Sequence, residues 1–213
     1  MKKIKQMKTA NKLFGIAMVS TLLLLNVSAI GEEFTKKMSK SFDVKKGAML
    51  ELKNKFGKIQ CMNWEKDVVQ VEVEITINTS DESKAEKYFS RIDVNISGNA
   101  DKVAVITSYD DNLFKNNNND ISIDFIINMP ESIQLDVNHK FGDLIIEKVT
   151  GNCDINLGYG NFDIVSLGGS GNMLDIQFSD GKIGYLKNAE LELKYSELEI
   201  DEADITNVSI VDF

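Results

Sequence analysis

The sequence predicts a mainly β protein: a parallel β-solenoid with about 18 residues per coil, plus a strand-rich N-terminal part that carries one helix. Three observations carry this prediction. Apolar and polar residues alternate with period two over much of the chain after residue 41. A short aromatic-led motif recurs at near-constant spacing in the C-terminal part. Helical periodicity is confined to one short segment.

The N-terminus is set aside first. Lys2, Lys3, Lys5, Lys8 and Lys12 form a basic stretch without an acid, and Leu13 to Leu25 form an apolar one. Val27-Ser28-Ala29 places small residues at the −3 and −1 sites of a signal peptidase, so residues 1–29 read as a cleaved secretory signal peptide. The apolar run is shorter than the ~20 residues a membrane span needs. No cysteine stands near the cleavage point to take a lipid. Residues 30–41 are polar and read as a loose leader. Cleavage removes five lysines and no acid, leaving 19 basic residues (24 less 5) against 33 acidic ones, a net charge of −14. Nucleic acid and anionic membrane surfaces call for a basic face, so neither is an expected partner. The length of 213 residues suits one domain with or without a small appendage, and a 43% hydrophobic composition can bury a core.

Residues 42–130 read as an N-terminal β-rich part. Val68 to Ile77 alternates apolar and polar side chains with period two, the pattern of a half-buried strand. Val103 to Thr107 and Ile121 to Ile127 read the same way. Between them a helix is expected over 80–92: Thr79 and Glu82 have capping-box spacing, and Ala85, Tyr88, Phe89 and Ile92 recur on one helical face. Asn116 to Asn119 with Asp120 reads as a solvated loop tip.

Residues 131–213 repeat. The motif opens at Phe141, Tyr159, Phe178 and Tyr195, at intervals of 18, 19 and 17 residues. Aligning the copies produces columns. Five residues after each aromatic stand Ile146, Ile164, Ile183 and Ile200. Three after stand Leu144, Phe162, Gly181 and Leu198. Four before the next aromatic stand Ile155, Leu174 and Leu191, and two before stand Leu157, Ile176 and Leu193. So short a period holds one solenoid coil of two or three strands, which buries its apolar faces only by stacking on its neighbours. A degenerate earlier copy runs from Leu50 to Ile59 and parallels Leu135 to Leu144, with Phe56 opening a first coil and Cys61 in the isoleucine column. The stretch from Val68 to Met129 then reads as an inserted or capping layer over an otherwise sticky end. The chain stops on Phe213, where a further coil would open, as a truncated product would; an edge left open there could self-associate.

The signal peptide, the Asn54-Lys55-Phe56-Gly57 and His139-Lys140-Phe141-Gly142 copies, the Asp124 to Pro130 run and the Gly158-Tyr159-Gly160-Asn161 and Phe178-Ser179-Asp180-Gly181 coils resemble the putative-adhesin family of exported bacterial β-strand repeat proteins, a domain of unknown function. The resemblance covers roughly residues 41–213. It implies an extracytoplasmic location, in the periplasm or at the cell surface, and a solenoid-like β fold. It brings no catalytic residues.

The residues themselves point to no catalytic site and no cofactor. His139 is the only histidine and has no partner motif for nucleophilic or metal chemistry, so it reads as structural. Cys61 and Cys153 both fall in apolar columns and read as core thiols; a disulfide between them stays open in an oxidising compartment. Asp143, Asn161, Asp180 and Glu197 stand two after each aromatic and would stack on an outer face, either as a solvated acidic ladder or as a weak Ca²⁺ site. The column aromatics read as a core or corner ladder in preference to a platform for sugar rings. The expected function is that of an exported, non-enzymatic cell-envelope module that binds an envelope protein or glycan, with edge-to-edge self-association open to it. A polysaccharide-cleaving solenoid and a periplasmic sensor or scaffold module are the alternatives.

Overall fold

Strands with one apolar face need a second sheet to cover them. The computed structural model describes residues 33–110, 113 and 121–204, with the backbone alone of 27–28 and 209–210, and it meets that need with two facing sheets. In chain order the elements are β1 (Val27–Ser28), β2 (Glu33–Asp43), β3 (Met49–Lys55), β4 (Ile59–Asn63), β5 (Val68–Asn78), α1 (Glu82–Phe89), β6 (Ile92–Gly98), β7 (Lys102–Tyr109) and β8 (Ile121–Met129). There follow β9 (Gln134–Lys140), β10 (Leu144–Val149), β11 (Cys153–Gly158), β12 (Asn161–Leu167), β13 (Asn172–Gln177), β14 (Asp180–Lys187), β15 (Ala189–Lys194), β16 (Leu198–Asp204) and β17 (Ser209–Ile210). Residues 1–26, the 114–120 loop tip and Phe213 lie outside the described residues.

From β9 onward odd-numbered strands enter one sheet and even-numbered strands the other, so each coil contributes two strands. All these pairings are parallel, and their registers are the sequence columns. Ile146, Ile164, Ile183 and Ile200 are successive partners, as are Val137, Ile155, Leu174 and Leu191 on the facing sheet. Ile146, Ile164, Ile183, Ile155 and Leu174 are buried between the sheets, each worth roughly 1.5–3 kcal/mol of transfer free energy.

The early copy belongs to the same stack. Leu50 pairs with Leu135 and Leu52 with Val137, while Ile59 pairs with Leu144 and Cys61 with Ile146. The β3–β4 coil thus lies directly on the β9–β10 coil, across the boundary that the sequence suggests near residue 130. The intervening segment divides in two. β7 is parallel to β3 and β8 is parallel to β4, so β7–β8 is itself a coil, placed beyond β3–β4 although it follows it in the chain. The remainder is a cap. β5 and β2 extend the first sheet in antiparallel fashion and β6 extends the second. Helix α1 contacts β2, β5 and β6 at this end and buries Ala85 and Phe89.

Two local expectations change. Residues 33–41 of the expected leader are part of β2, an 11-residue strand. Its inward positions alternate Phe34, Met38 and Phe42, which pack on the core, with Lys36 and Lys40; Lys40 Nζ reaches Ile96 O at 2.7 Å. Lysine stems can cover apolar surface while the ammonium finds an acceptor, which hides the period-two signal. The helix is shorter than 80–92. Asp81, not Thr79, is its N-cap, accepting from Ser83 N at 2.8 Å, and Ile92 already begins β6. Among the described residues no helix is long and apolar enough to cross a membrane.

Candidate functional site

In the β3–β4 coil and in the coils from β9 onward the chain turns from the second sheet into the first within a few residues, and the turn uses an aromatic residue in the left-handed region. That residue is Phe56, Phe141, Tyr159, Phe178 or Tyr195, with φ of 67°, 57°, 60°, 51° and 51°. A bulky side chain there is strained by roughly 1–2 kcal/mol. The backbone nevertheless stays in the ladder: Phe56 N donates to Lys140 O, Phe141 N to Gly158 O, Tyr159 N to Gln177 O and Phe178 N to Lys194 O, at 2.9–3.0 Å.

The five rings stack in a column. Successive centroids are 5.3, 4.9, 4.8 and 4.9 Å apart, with interplanar angles of 4–14°. The result is a ridge about 20 Å long. Phe141, Tyr159, Phe178 and Tyr195 are 42, 49, 43 and 53% exposed, which makes this a surface corner ladder and not part of the core between the sheets. The inner ring faces cover one another, so solvent meets ring edges. Sugar rings stack on aromatic faces, and this geometry removes the sugar-platform reading along the inner ridge. Tyr109, which the repeat spacing did not reveal because its coil is out of chain order, meets Phe56 edge-on at 6.4 Å and 83°. Its hydroxyl donates to Lys55 O at 2.5 Å, and burial pushes its pKa up.

Charged side chains flank the ridge on both sides. Lys55, Lys140 and Lys194 directly precede aromatics, and Lys55 Nζ lies 5.1 Å from the Phe56 centroid and 5.5 Å from that of Phe141. On the other side runs the column that contains Asp143, Asn161, Asp180 and Glu197. Two of its carboxylates hold backbone: Asp143 Oδ1 accepts from Asn161 N and Nδ2 at 3.2 Å, and Asp180 Oδ1 accepts from Glu197 N at 2.8 Å. Asp124 does the same for Lys58 N at 2.7 Å. Asn161 separates Asp143 from Asp180, so like charges are direct neighbours only at Asp180 and Glu197. Among the described residues no group of three or more His, Cys, Asp or Glu converges to hold a metal ion. On the second sheet's outer surface Glu51, Asp136 and Asp154 share a row. Hydrogen bonds from Lys102 and Lys53 hold the Glu51 carboxyl low, whereas burial and then the nearby Glu51 and Asp154 charges push Asp136 up.

His139 sits under the ridge, fully buried, two residues before Phe141. Nε2 lies 3.0 Å from Gly57 O and Nδ1 3.4 Å from Asn54 O. A neutral ring has one N–H and serves one of these carbonyls. Burial holds its pKa below the ordinary imidazole range. Cys61 and Cys153 are free, buried thiols, each pushed up to about 12 by burial. Next to Cys153 in its row stands a buried polar residue that column reading missed, Asn172. Its Oδ1 accepts from Cys153 N at 3.0 Å and its Nδ2 donates to Lys187 O at 2.6 Å, stapling three coils at the return corner. The signal was a polar residue in an otherwise apolar column.

No protein-family model matches the chain, and no curated protein matches it. Among solved structures it is similar to a putative cell adhesion protein from Clostridium sporogenes ATCC 15579, at 12% identity and a TM-score of 0.33, over 84% of this chain and all of that one. A putative lipid binding protein from Parabacteroides distasonis ATCC 8503 is similar at 10% identity and a TM-score of 0.25, over 82% of this chain and 96% of that one.

Proposed function

We propose that this chain is an exported, non-enzymatic β-repeat module of the cell envelope, which works by holding a surface partner against the aromatic ridge. The observation that carries the reading is the ridge itself: about 20 Å of stacked, half-exposed rings on a rigid parallel stack, with Lys55, Lys140 and Lys194 directly before three of the rings. Contiguous exposed apolar surface of this kind marks interaction sites. The ridge is pre-organised by the ladder bonds, so little ordering entropy is lost on contact. Asp143, Asp180 and His139, which stand beside the ridge, are engaged with backbone groups. Export rests on the N-terminal signal pattern.

The test is a crosslinking pull-down from intact host cells, with a tagged chain and a Tyr159→Ser/Phe178→Ser variant. A defined envelope protein taken by the first and lost with the second, while the melting curve stays cooperative, is the expected result. Equal capture by both removes the ridge from the function.

A scaffold reading has one observation of its own. Among the described residues β16 ends the first sheet without a further neighbour, and Leu198 and Ile200 on it are only partly buried. An open edge of this sort pairs with other chains. Self-association that rises with concentration and disappears in Ile200→Lys supports the scaffold; a monomer at all concentrations rejects it.

A further inference from the structure

The return corner, where a first-sheet strand leads back to the second sheet, is closed in most of the stack. A Cβ on Gly151 would lie 2.1 Å from Ile133 O, and one on Gly169 would lie 2.3 Å from Gly151 O. At the β4 coil the corner is open, because the chain leaves the stack there to begin β5. The β4–β8 ladder continues to Asn63 and Met129, whereas the β4–β10 ladder stops at Cys61 and Ile146. Asn63 closes the broken ladder with its side chain: Oδ1 accepts from Lys148 N at 2.8 Å and Nδ2 donates to Lys148 O at 2.9 Å. Beyond it residues 64–67 swing out and leave a cavity of about 420 Å³ between themselves and the 130–132 turn. That volume falls within the ~300–1,000 Å³ of small-ligand sites.

The lining is specific in kind. Trp64, the only tryptophan in the chain, forms part of the wall. Its indole is fixed by a hydrogen bond from Nε1 to Val68 O at 2.8 Å, with Lys66 Nζ 4.5 Å from the ring centroid. Around it stand Lys46, Glu65, Asp67 and Glu131, with Glu131 also paired to Lys148 at 3.1 Å. Ammonium and carboxylate groups nearly balance, which favours neither a strong anion nor a strong cation, and the polar wall disfavours an apolar ligand. A ring-shaped polyol satisfies such a lining: its hydroxyls donate to Asp67 and Glu131 and accept from the lysines, and its C–H surface packs on the indole. We propose that this cavity binds a neutral pyranose saccharide. The site lies across the sheet from the aromatic ridge and does not depend on it.

The single tryptophan makes the full-length chain its own reporter. Cellotetraose and chitotetraose are titrated while Trp64 emission is recorded, with polygalacturonate as an acidic control. The expected result is a saturable emission change with at least one neutral tetrasaccharide and none with the control. Asp67→Ala and Trp64→Ala, checked by thermal melting and followed by calorimetry, weaken that binding at least tenfold. The ridge variant Tyr159→Ser/Phe178→Ser binds the sugar as the parent does. No saturable change with either neutral sugar overturns the proposal, and so does binding that survives Asp67→Ala within twofold.

Discussion

Replacing Tyr159 separates the two forces that meet at the ridge. The ring stacks on Phe141 at 4.9 Å and on Phe178 at 4.8 Å. Each stacked pair contributes roughly 0.5–1.5 kcal/mol beyond area burial. The residue also sits at φ 60°, where a side chain with a Cβ is strained by about 1–2 kcal/mol and glycine is not. Tyr159→Ala loses both stacks and keeps the strain, so it destabilises by about 1–3 kcal/mol. Tyr159→Gly loses the same stacks and releases the strain, while adding roughly 0.4–1 kcal/mol of unfolded-chain entropy. The glycine variant is therefore the more stable of the two, by about 0.8 kcal/mol at the middle of these ranges, or roughly 2–3 °C in melting temperature for a domain of this size. Urea titrations followed by circular dichroism measure the order directly. An alanine variant as stable as the glycine one refutes the strain argument, and an alanine variant equal to the parent refutes the stacking argument.

Three further outcomes follow from the same geometry. Ile164→Asp places a carboxylate in the buried row between Ile146 and Ile183 and is expected to abolish cooperative melting, whereas Ile164→Val costs only about 0.5–1.5 kcal/mol. Gly142→Ala sets a Cβ 1.6 Å from Gly57 O and 2.9 Å from His139 Nε2, so the corner has to open; denaturant midpoints are expected to show a loss of about 3 kcal/mol. His139 is depressed by burial, so the unfolded chain, with its imidazole near ~6.5, binds the proton first. Its contribution is complete above ~6.5 and declines as pH falls from there toward the lower folded value. His139→Leu, the residue its neighbour Leu157 already places in that row, should flatten the stability–pH curve between about 7 and 5.5; an unchanged slope assigns the acid sensitivity to other groups.

Much of this fold was legible in one dimension because a solenoid repeats the same environment at each coil. Ile146, Ile164, Ile183 and Ile200 occupy one row of the sheet for the reason they occupy one column of the alignment: parallel in-register stacking carries sequence spacing directly into space. The early copy at Leu50 to Ile59 was readable on the same ground, and so was Cys61 as a core residue. Where the periodicity is interrupted, one dimension no longer suffices. That Lys36 and Lys40 lie on the inward side of β2 depends on Val71 and Ile75 being opposite them. That β7–β8 is a coil, placed before β3–β4 in space, depends on pairings between residues 53 and 66 apart in the chain. Position along the solenoid axis is set by which edges are left to pair, and no local pattern encodes it.

The candidate sites divide in the same way. By itself the sequence determined that an aromatic recurs along the repeat, that an acid or asparagine stands two residues after it from Phe141 on, and that no nucleophile or ligand motif accompanies it. Only the tertiary structure decided that these rings are a surface ridge with edges outward, since that follows from the left-handed turn each adopts. It also decided that the acids cap neighbouring backbone, and that Trp64 lines an open corner. Both are consequences of which coil lies against which, a long-range property that the period predicts only while the period is unbroken.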